Sequence, residues 1–139
     1  MTTDTQVTWD FFVCHVTADK ETASSLAEAL NSKGLKVWHA DYCLKLGDSL
    51  TAAVEFGLSR SRMGIVILSP EFLQQCWPQP VLNDLATREV NGKRAIVPIW
   101  HKVSFRDVFD YSPVLADAVA ISTSKGLEYA VQRIMDRAK

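Results

Sequence analysis

The sequence predicts an α/β domain with a flavodoxin-like, five-stranded parallel sheet and helices on both of its faces. Short apolar runs alternate with amphipathic segments along the chain, which is the pattern of repeated strand–helix units. The apolar runs are nearly continuous, as expected for parallel strands that are buried on both faces. Right-handed crossovers between such strands give a doubly wound order.

Length and composition limit the organisation of the chain and its partners. The 139 residues fit one domain, predicted to span residues 9–139 after a flexible lead at residues 1–8. A net charge of −1 lacks the basic excess typical of nucleic-acid binders, and no apolar run approaches the roughly 20 residues of a membrane helix. We therefore expect neither nucleic acid nor a membrane among the partners.

The cysteines, Cys14, Cys43 and Cys76, are odd in number and widely spaced. This pattern argues against a disulfide framework and favours a reducing cytoplasm. The polar N-terminus also lacks the basic and apolar regions of a signal peptide. No pair of cysteine or histidine residues has the spacing of a zinc site, so no metal is predicted.

In the first half of the chain, two predicted strands are each followed by a helix. In chain order the elements are a strand at residues 9–14, a helix at about 19–33, a strand at 35–39, a loop at 40–47 and a helix that Asp48 or Ser49 caps. An apolar stripe in the first helix has the i, i+3, i+4, i+7 spacing of one buried face. Its members are Ala23, Leu26, Ala27 and Leu30. Gly34 is predicted to end this helix.

The second half of the chain continues the alternation. The predicted elements are a polar connection at residues 59–62, a strand at 63–68, a short helix, a helix from residue 81 to about 91, a strand at 93–100, a short helix around 105–109, a strand at 118–122 and a final helix. The apolar stripe of the final helix contains Leu127, Val131 and Ile134. Pro98 lacks a backbone N–H and places its strand near the edge of the sheet.

Residues 69–85 form the segment that any function has to explain. Ser69 is predicted to cap a short helix whose first residue is a proline. The two prolines of residues 77–80 then interrupt the helical pattern, so a new helix is expected from Val81. This kink carries Trp77 over the carboxyl end of the preceding strand, where open α/β sheets bind ligands.

Five stretches in the right order resemble the TIR (Toll/interleukin-1 receptor) domain family in its bacterial form. They are residues 9–15 (WDFFVCH), Asp19 with Lys20, residues 37–38 with 44–50, residues 66–70 with Phe72 and Trp77, and residues 96–101 with 111–117. The similarity covers about residues 9–135. It implies the TIR version of the predicted fold and a place in signal transduction, innate immunity or bacterial defence.

The resemblance implies two kinds of function. Many TIR domains pass a signal by self-association, through their helices and through the loop after the second strand, called the BB loop. Many bacterial members also cleave NAD⁺ and release nicotinamide, and some cyclise the ADP-ribose. In those enzymes a glutamate four residues after the tryptophan lies against the nicotinamide ribose. A carboxylate there can stabilise the oxocarbenium-like state through which the glycosidic bond breaks.

In this chain the residue four positions after Trp77 is Val81. Valine cannot carry charge, accept a hydrogen bond or move a proton, so no residue is assigned a catalytic role. Asp84 is a weak substitute, because it can share a helix face with Val81 but starts about one turn away on a shorter side chain. No cofactor is required, and NAD⁺ or a related nucleotide is expected as substrate or ligand.

Residues at the carboxyl ends of the strands, and in the loops that follow, are candidates for a ligand pocket. They are His15, Trp38, Asp41, Lys45, Ser69 and Trp77. Three of them have a simpler interpretation. His15 can be a capping residue, Trp38 a core residue, and Trp77 a cover over the end of the sheet.

The loop after the second strand is the candidate assembly surface, because it combines exposed apolar and charged side chains. Its residues are Tyr42, Cys43, Leu44, Lys45, Leu46, Gly47 and Asp48. The leading hypothesis is a TIR module that acts by TIR–TIR association in a bacterial immune or defence system, with weak or no NAD⁺ cleavage. The alternative is an NAD⁺ glycohydrolase with a substitute for the missing glutamate. A pocket that only senses a nucleotide is compatible with the leading hypothesis.

Overall fold

The computed structural model describes residues 9–38, 57–74, 79–90, 93–117 and 121–138. The strands are β1 (Trp9–Cys14), β2 (Val37–Trp38), β3 (Ser61–Leu68), β4 (Glu89–Val90), β5 (Lys93–Arg94), β6 (Ile96–Trp100) and β7 (Ile121–Ser122). The helices are α1 (Lys20–Asn31), α2 (Pro70–Leu73), α3 (Gln79–Thr87), α4 (Phe105–Tyr111), α5 (Pro113–Asp117) and α6 (Leu127–Ala138), and a further helix ends at Leu58.

Five of the strands form one parallel sheet in the order β2–β1–β3–β6–β7. Cys14 of β1 pairs with Val66 of β3, and Val66 pairs with Pro98 of β6. β6 lies next to the edge strand β7, in agreement with the position that Pro98 predicts. The order is that of a flavodoxin-like sheet, so the predicted fold class is confirmed.

The side chains of β1 alternate between two apolar layers, because successive residues of a strand point to opposite faces. One layer lies under α2, α3, α4 and α5 and includes Phe12, Cys14, Val66, Leu68, Phe72, Leu82, Val108 and Leu115. The other lies under α1 and α6 and includes Phe11, Val13, Leu26, Leu30, Ile65, Ile67, Val131 and Ile134. Burial on both faces explains why β1 and β3 read as continuous apolar runs.

Helix α1 confirms its predicted apolar face. Its four stripe residues are all buried, and the helix ends shortly before Gly34. Gly34 has φ +90°, a backbone conformation that a glycine adopts without strain, so it follows the helix as predicted.

Two boundaries around the third strand and the kinked segment differ from the prediction. β3 begins at Ser61, so the second half of the predicted polar connection belongs to the strand, where the Ser61 side chain is buried. α3 begins at Gln79 instead of Val81. Pro80 falls within the first turn, where a helix needs no hydrogen bond from the backbone nitrogen, so the proline starts the helix instead of delaying it.

α3 ends at Thr87, although a helix was predicted to about residue 91. The chain instead forms an antiparallel pair between β4 and β5, with Glu89 opposite Arg94. Thr87 and Val90 are β-branched residues, which favour strands over helices. The backbone N–H of Ala95 also donates to the carbonyl of Arg88 at 3.0 Å, which closes this small hairpin.

Three further elements are described over only part of their predicted extents or differ from them. β2 is described only at Val37–Trp38, and β7 only at Ile121–Ser122; residues 39 and 118–120 lie outside the described residues. The short helix near residue 105 is present but longer, and α5 follows it. Leu127 is 38% exposed, so its place in the α6 stripe was wrong. It is the first residue of that helix, and Ala130 is buried in its place.

Candidate functional site

Three polar residues directly follow parallel strands and so lie at the carboxyl edge of the sheet. His15 follows β1, Ser69 follows β3, and His101 follows β6. This edge is where open α/β sheets bind ligands, so the surroundings of these residues define the candidate site.

Ser69 and Asp19 form a buried polar pair at this edge. The Ser69 hydroxyl donates a short hydrogen bond to a carboxylate oxygen of Asp19, and it accepts one from the backbone N–H of Phe72 at 3.2 Å. Ser69 is fully buried and Asp19 is 5% exposed. The hydroxyl caps α2 as predicted, and through Asp19 it ties the start of α2 to the start of α1. With both hydrogen bonds made inside the protein, Ser69 holds two helices in place.

His15 was expected to contact a ligand or to act as a capping residue. It is fully buried, and its Nδ1 lies 2.7 Å from the carbonyl oxygen of Val16, the adjacent residue in the chain. His15 is therefore an interior residue in this structure, and its contact with a ligand stays a prediction. The cause is local, because the side chain turns back to the backbone directly after β1.

His101 bridges two elements that sequence reasoning did not connect. Its Nε2 lies 3.3 Å from the Thr22 hydroxyl on α1, and its Nδ1 lies 2.9 Å from the Thr123 hydroxyl after β7. Both hydroxyls can donate or accept, so either tautomer of the ring makes both hydrogen bonds. His101 therefore joins the β6 end of the sheet to α1 and to the turn before α6.

Trp38 lies partly buried at the end of the edge strand β2. Its ring stacks on that of Trp9, with centroids 6.4 Å apart and planes 24° apart, and it packs against the core layer that contains Phe12. Most of the Trp38 side chain therefore contacts the rest of the domain, as expected for a residue at the border of the core.

Position 81 lies in the first turn of α3, one turn before Asp84. The Asp84 carboxylate lies 2.5 Å from a guanidinium nitrogen of Arg88, an i, i+4 ion pair in which Asp84 remains 52% exposed. The position to which the family resemblance assigns the glutamate of the NAD⁺-cleaving members is thus occupied by Val81. The nearest carboxylate on the described part of α3 is engaged with an arginine on the solvent side.

Several predicted site residues lie outside the described residues. They are Asp41, Lys45, Trp77 and the whole assembly loop, residues 42–48. The side chain of Val81 is also outside the described set. Within the described ranges, no group of three His, Cys, Asp or Glu side chains is placed to hold a metal ion. No helix in those ranges is long and apolar enough to cross a membrane.

Sequence reasoning found the Ser69 cap but missed the partner of its hydroxyl, Asp19. The only signal for that pair was that both residues follow the ends of adjacent strands. The i, i+4 spacing of Asp84 and Arg88 was a readable sign of an ion pair. Ser104 and Asp107 likewise have the spacing of a capping box, and the structure contains one at the start of α4.

Comparison with known proteins gives matches across most of the chain. The chain is 44% identical over 133 residues to the NAD(+) hydrolase TcpA of Theionarchaea archaeon, a match that covers 95% of this chain and 40% of the relative. It is 44% identical to the 2' cyclic ADP-D-ribose synthase BtTIR of Bacteroides thetaiotaomicron, covering 84% and 41%. It is 41% identical to the NAD(+) hydrolase PdTIR of Paracoccus denitrificans, covering 91% and 43%. The chain thus spans less than half the length of these curated relatives.

Two solved structures share the fold. A metazoan TIR-STING receptor from C. gigas, in complex with 2',3'-cGAMP, matches with a TM-score of 0.67 at 18% identity, covering 96% of this chain and 41% of that one. The TIR domains of the activated Roq1 resistosome match with a TM-score of 0.60 at 18% identity, covering 93% and 98%. At this identity the likeness concerns the fold alone. The sequence also matches the family described as TIR domain over residues 11–135, and the chain therefore belongs to the TIR domain family.

Proposed function

We propose that this chain is a TIR signalling and assembly module of a bacterial immune or defence system. It works in the cytoplasm by TIR–TIR association, with little or no cleavage of NAD⁺. The observation that carries the proposal is the valine at position 81, in the first turn of α3.

The chemistry of NAD⁺ cleavage explains why this valine matters. Loss of nicotinamide leaves positive charge on the ribose, and a carboxylate beside the ribose stabilises that charge. The family resemblance assigns this carboxylate to position 81. Val81 supplies neither charge nor a hydrogen-bond acceptor, so the principal stabilisation is lost while the fold that surrounds the site is retained.

Asp84 is poorly suited to replace the glutamate. Three residues along a helix correspond to a rise of about 4.5 Å and a rotation of about 300°. The carboxylate also pairs with Arg88 at 2.5 Å, and moving it toward a ligand would break that ion pair. Catalysis falls steeply when a reacting group is misplaced by ~1 Å, so this arrangement argues against efficient cleavage through Asp84.

The assembly part of the proposal rests on residues 42–48 and on the family. The loop sequence contains Tyr42, Leu44 and Leu46 among charged residues, a composition typical of an interaction surface. The TIR domains of the activated Roq1 resistosome have the same fold.

Sedimentation velocity over a range of protein concentrations tests this assembly. We expect the wild-type chain to self-associate and the Leu44→Asp variant to associate more weakly, because a charge in an apolar contact is costly to desolvate. A Glu28→Arg variant, altered on the exposed side of α1, serves as the control and should behave as the wild type. A wild-type chain that stays monomeric throughout the range would contradict the proposal.

The second candidate function is NAD⁺ hydrolysis, and the relatives favour it. Chains 41 to 44% identical to this one are named as NAD⁺ hydrolases or cyclic ADP-ribose synthases. If this chain also cleaves NAD⁺ through Asp84, the Asp84→Asn variant should lose nicotinamide release. Because that substitution also removes the ion pair with Arg88, an Arg88→Gln variant separates the two effects. It frees the carboxylate and should preserve or raise the activity.

A further inference from the structure

Helix α4 carries an aromatic surface that the described part of the domain leaves open. Phe105 is 56% exposed and Phe109 is 45% exposed, the two largest exposures among the large apolar residues of the described chain. Their rings stack with centroids 5.7 Å apart, and the Phe105 ring lies 6.3 Å from that of Trp100, the last residue of β6. The three rings form a row that starts at the carboxyl end of β6 and continues onto the exposed side of α4.

Two opposite charges flank the phenylalanine rings. Arg106 and Asp110 line an open depression of about 340 Å³ together with Phe105 and Phe109. Both charged residues are exposed, and neither side chain makes an ion pair or a hydrogen bond with the described part of the chain. We call these four residues the α4 patch.

The two charges of the α4 patch are placed against the dipole of their own helix. The amino end of a helix carries a partial positive charge and its carboxyl end a partial negative charge. Arg106 lies in the first turn of α4 and Asp110 in the last, so each meets the end of its own sign. Because no ion pair within the described residues offsets this cost, ligand binding accounts for the two charges better than stability does.

The helix that presents the α4 patch is fixed to the domain. Ser104 and Asp107 form a capping box at its start, with N···O distances of 2.9 and 3.2 Å. Val108 is fully buried in the core layer, and its carbonyl accepts a hydrogen bond from the backbone N–H of Ser112 at 2.7 Å. A site on an anchored helix needs little ordering when it binds a ligand.

We propose that the α4 patch binds a pyridinium ribonucleotide, a ligand in which a ribose joins a cationic aromatic ring to a phosphate. The cationic ring lies over Phe105 and Phe109, whose faces attract a cation, and beside the Asp110 carboxylate. The phosphate accepts hydrogen bonds from the Arg106 guanidinium, whose planar fork matches phosphate oxygens. The ribose spans the one helical turn, about 5 Å, that separates the two charged residues.

The charges of the α4 patch select this ligand over other planar molecules. A purine nucleotide has a neutral base at pH 7 and would leave Asp110 without an opposite charge. A free aromatic cation would leave Arg106 without one. A pyridinium ribonucleotide satisfies both residues and both rings. The depression, at about 340 Å³, lies at the small end of the range of ligand pockets, which suits a mononucleotide.

The inference goes beyond the proposed function, because the α4 patch is separate from position 81 and from residues 42–48. It requires neither self-association nor cleavage of NAD⁺. It gives the domain a binding site for a small effector on a helix to which sequence reasoning assigned no role.

A nuclear magnetic resonance titration of the ¹⁵N-labelled chain with nicotinamide mononucleotide tests this site. We expect the amide signals of residues 104–112 to shift and to give the dissociation constant. The reduced form of the same nucleotide has a neutral ring and should bind about fivefold more weakly. Nicotinamide riboside lacks the phosphate and should bind about tenfold more weakly.

Four variants assign the contacts within the α4 patch. Phe109→Ala should raise the dissociation constant of the mononucleotide by about tenfold, because the ring loses a stacking partner. Arg106→Gln should weaken binding of the mononucleotide but not of the riboside. Asp110→Asn should remove the preference for the oxidised over the reduced form. Arg133→Gln, an exposed arginine of α6 on the other face of the sheet, is the matched control and should bind as the wild type.

Circular dichroism checks that each variant is folded. The absence of shifts at residues 104–112 at about 1 mM ligand would overturn the site, and so would shifts confined to α2 and α3. Equal binding of the oxidised and reduced nucleotides by the wild type would also contradict it. If the Phe109 and Arg106 variants weaken self-association while the wild type binds no nucleotide, a second copy occupies this surface and the proposal is wrong. None of these outcomes depends on the residue at position 81.

Discussion

The ring of Phe12 packs closely against two glycines, Gly57 and Gly64, neither of which belongs to a glycine-rich motif. A Cβ atom built on Gly64 would lie 2.5 Å from the Phe12 ring and 2.8 Å from Cδ1 of Ile96, and one on Gly57 would also overlap the ring. Phe12 itself is only 5% exposed, within the core layer under α2 to α5. Close packing therefore requires both glycines. Gly64 lets β3 approach the Phe12 ring, and Gly57 lets the end of a helix approach the same ring.

The Gly64→Ala variant should lower the free energy of unfolding by about 1 to 3 kcal/mol, because the added methyl group forces the Phe12 ring out of its position. Urea denaturation measures the effect. The Phe12→Leu background provides the control, since a smaller side chain leaves room for the methyl group. The alanine should then cost less than it does beside Phe12. An equal cost in both backgrounds would show that the ring is not the cause.

Among the secondary-structure elements, the starts of the helices show which features a local sequence pattern predicts and which it does not. Ser69 was expected as the cap of α2 from its position before a proline, and the structure confirms it. The start of α3 was misplaced because Pro80 was interpreted as a helix breaker, although a proline is equally at home in a first turn. The bond from Ser69 to Asp19 joins residues 50 positions apart, and no local pattern encodes such a contact.

Loss of the Ser69 hydroxyl should destabilise the protein more than loss of an ordinary cap. Ser69→Ala removes the α2 cap and leaves the buried Asp19 carboxylate without its hydroxyl donor, for a combined cost of about 2 to 4 kcal/mol. Ser104→Ala, which removes the exposed cap of α4, is the matched control and should cost about 1 kcal/mol. Thermal or urea unfolding compares the two. Similar losses would mean that the pair with Asp19 contributes little.

At the scale of the whole molecule, the alternation of strands and helices was sufficient to predict the five-stranded sheet and its order. Burial on both faces produces continuous apolar strands, and the crossover rule leaves few ways to arrange them. The candidate site was only partly predictable. Ser69 was identified from its place after β3, whereas the His101 bridge depends on Thr22 and Thr123, which the fold brings together from distant parts of the chain. The exposure of Phe105 and Phe109 on α4 was also missed, because it depends on which helix face the core leaves uncovered.

The family of this protein and the residue at position 81 point to different activities. Its fold and family are those of chains named as NAD⁺ hydrolases, and 91% of its length aligns with PdTIR. The single position to which the resemblance assigns the essential carboxylate holds a valine. The proposed function, an assembly module with little or no NAD⁺ cleavage, rests on this difference at position 81.

Nicotinamide release from NAD⁺, measured at high protein concentration, tests this account most directly. The wild-type chain is compared with Val81→Glu, which restores the carboxylate, and with Val81→Gln, which has a similar shape without the charge. We predict no release by the wild type or by Val81→Gln, and measurable release by Val81→Glu. Release by the wild type at a rate that Val81→Glu does not raise would contradict the account, and so would silence of all three chains, because the valine would then not be the reason for inactivity.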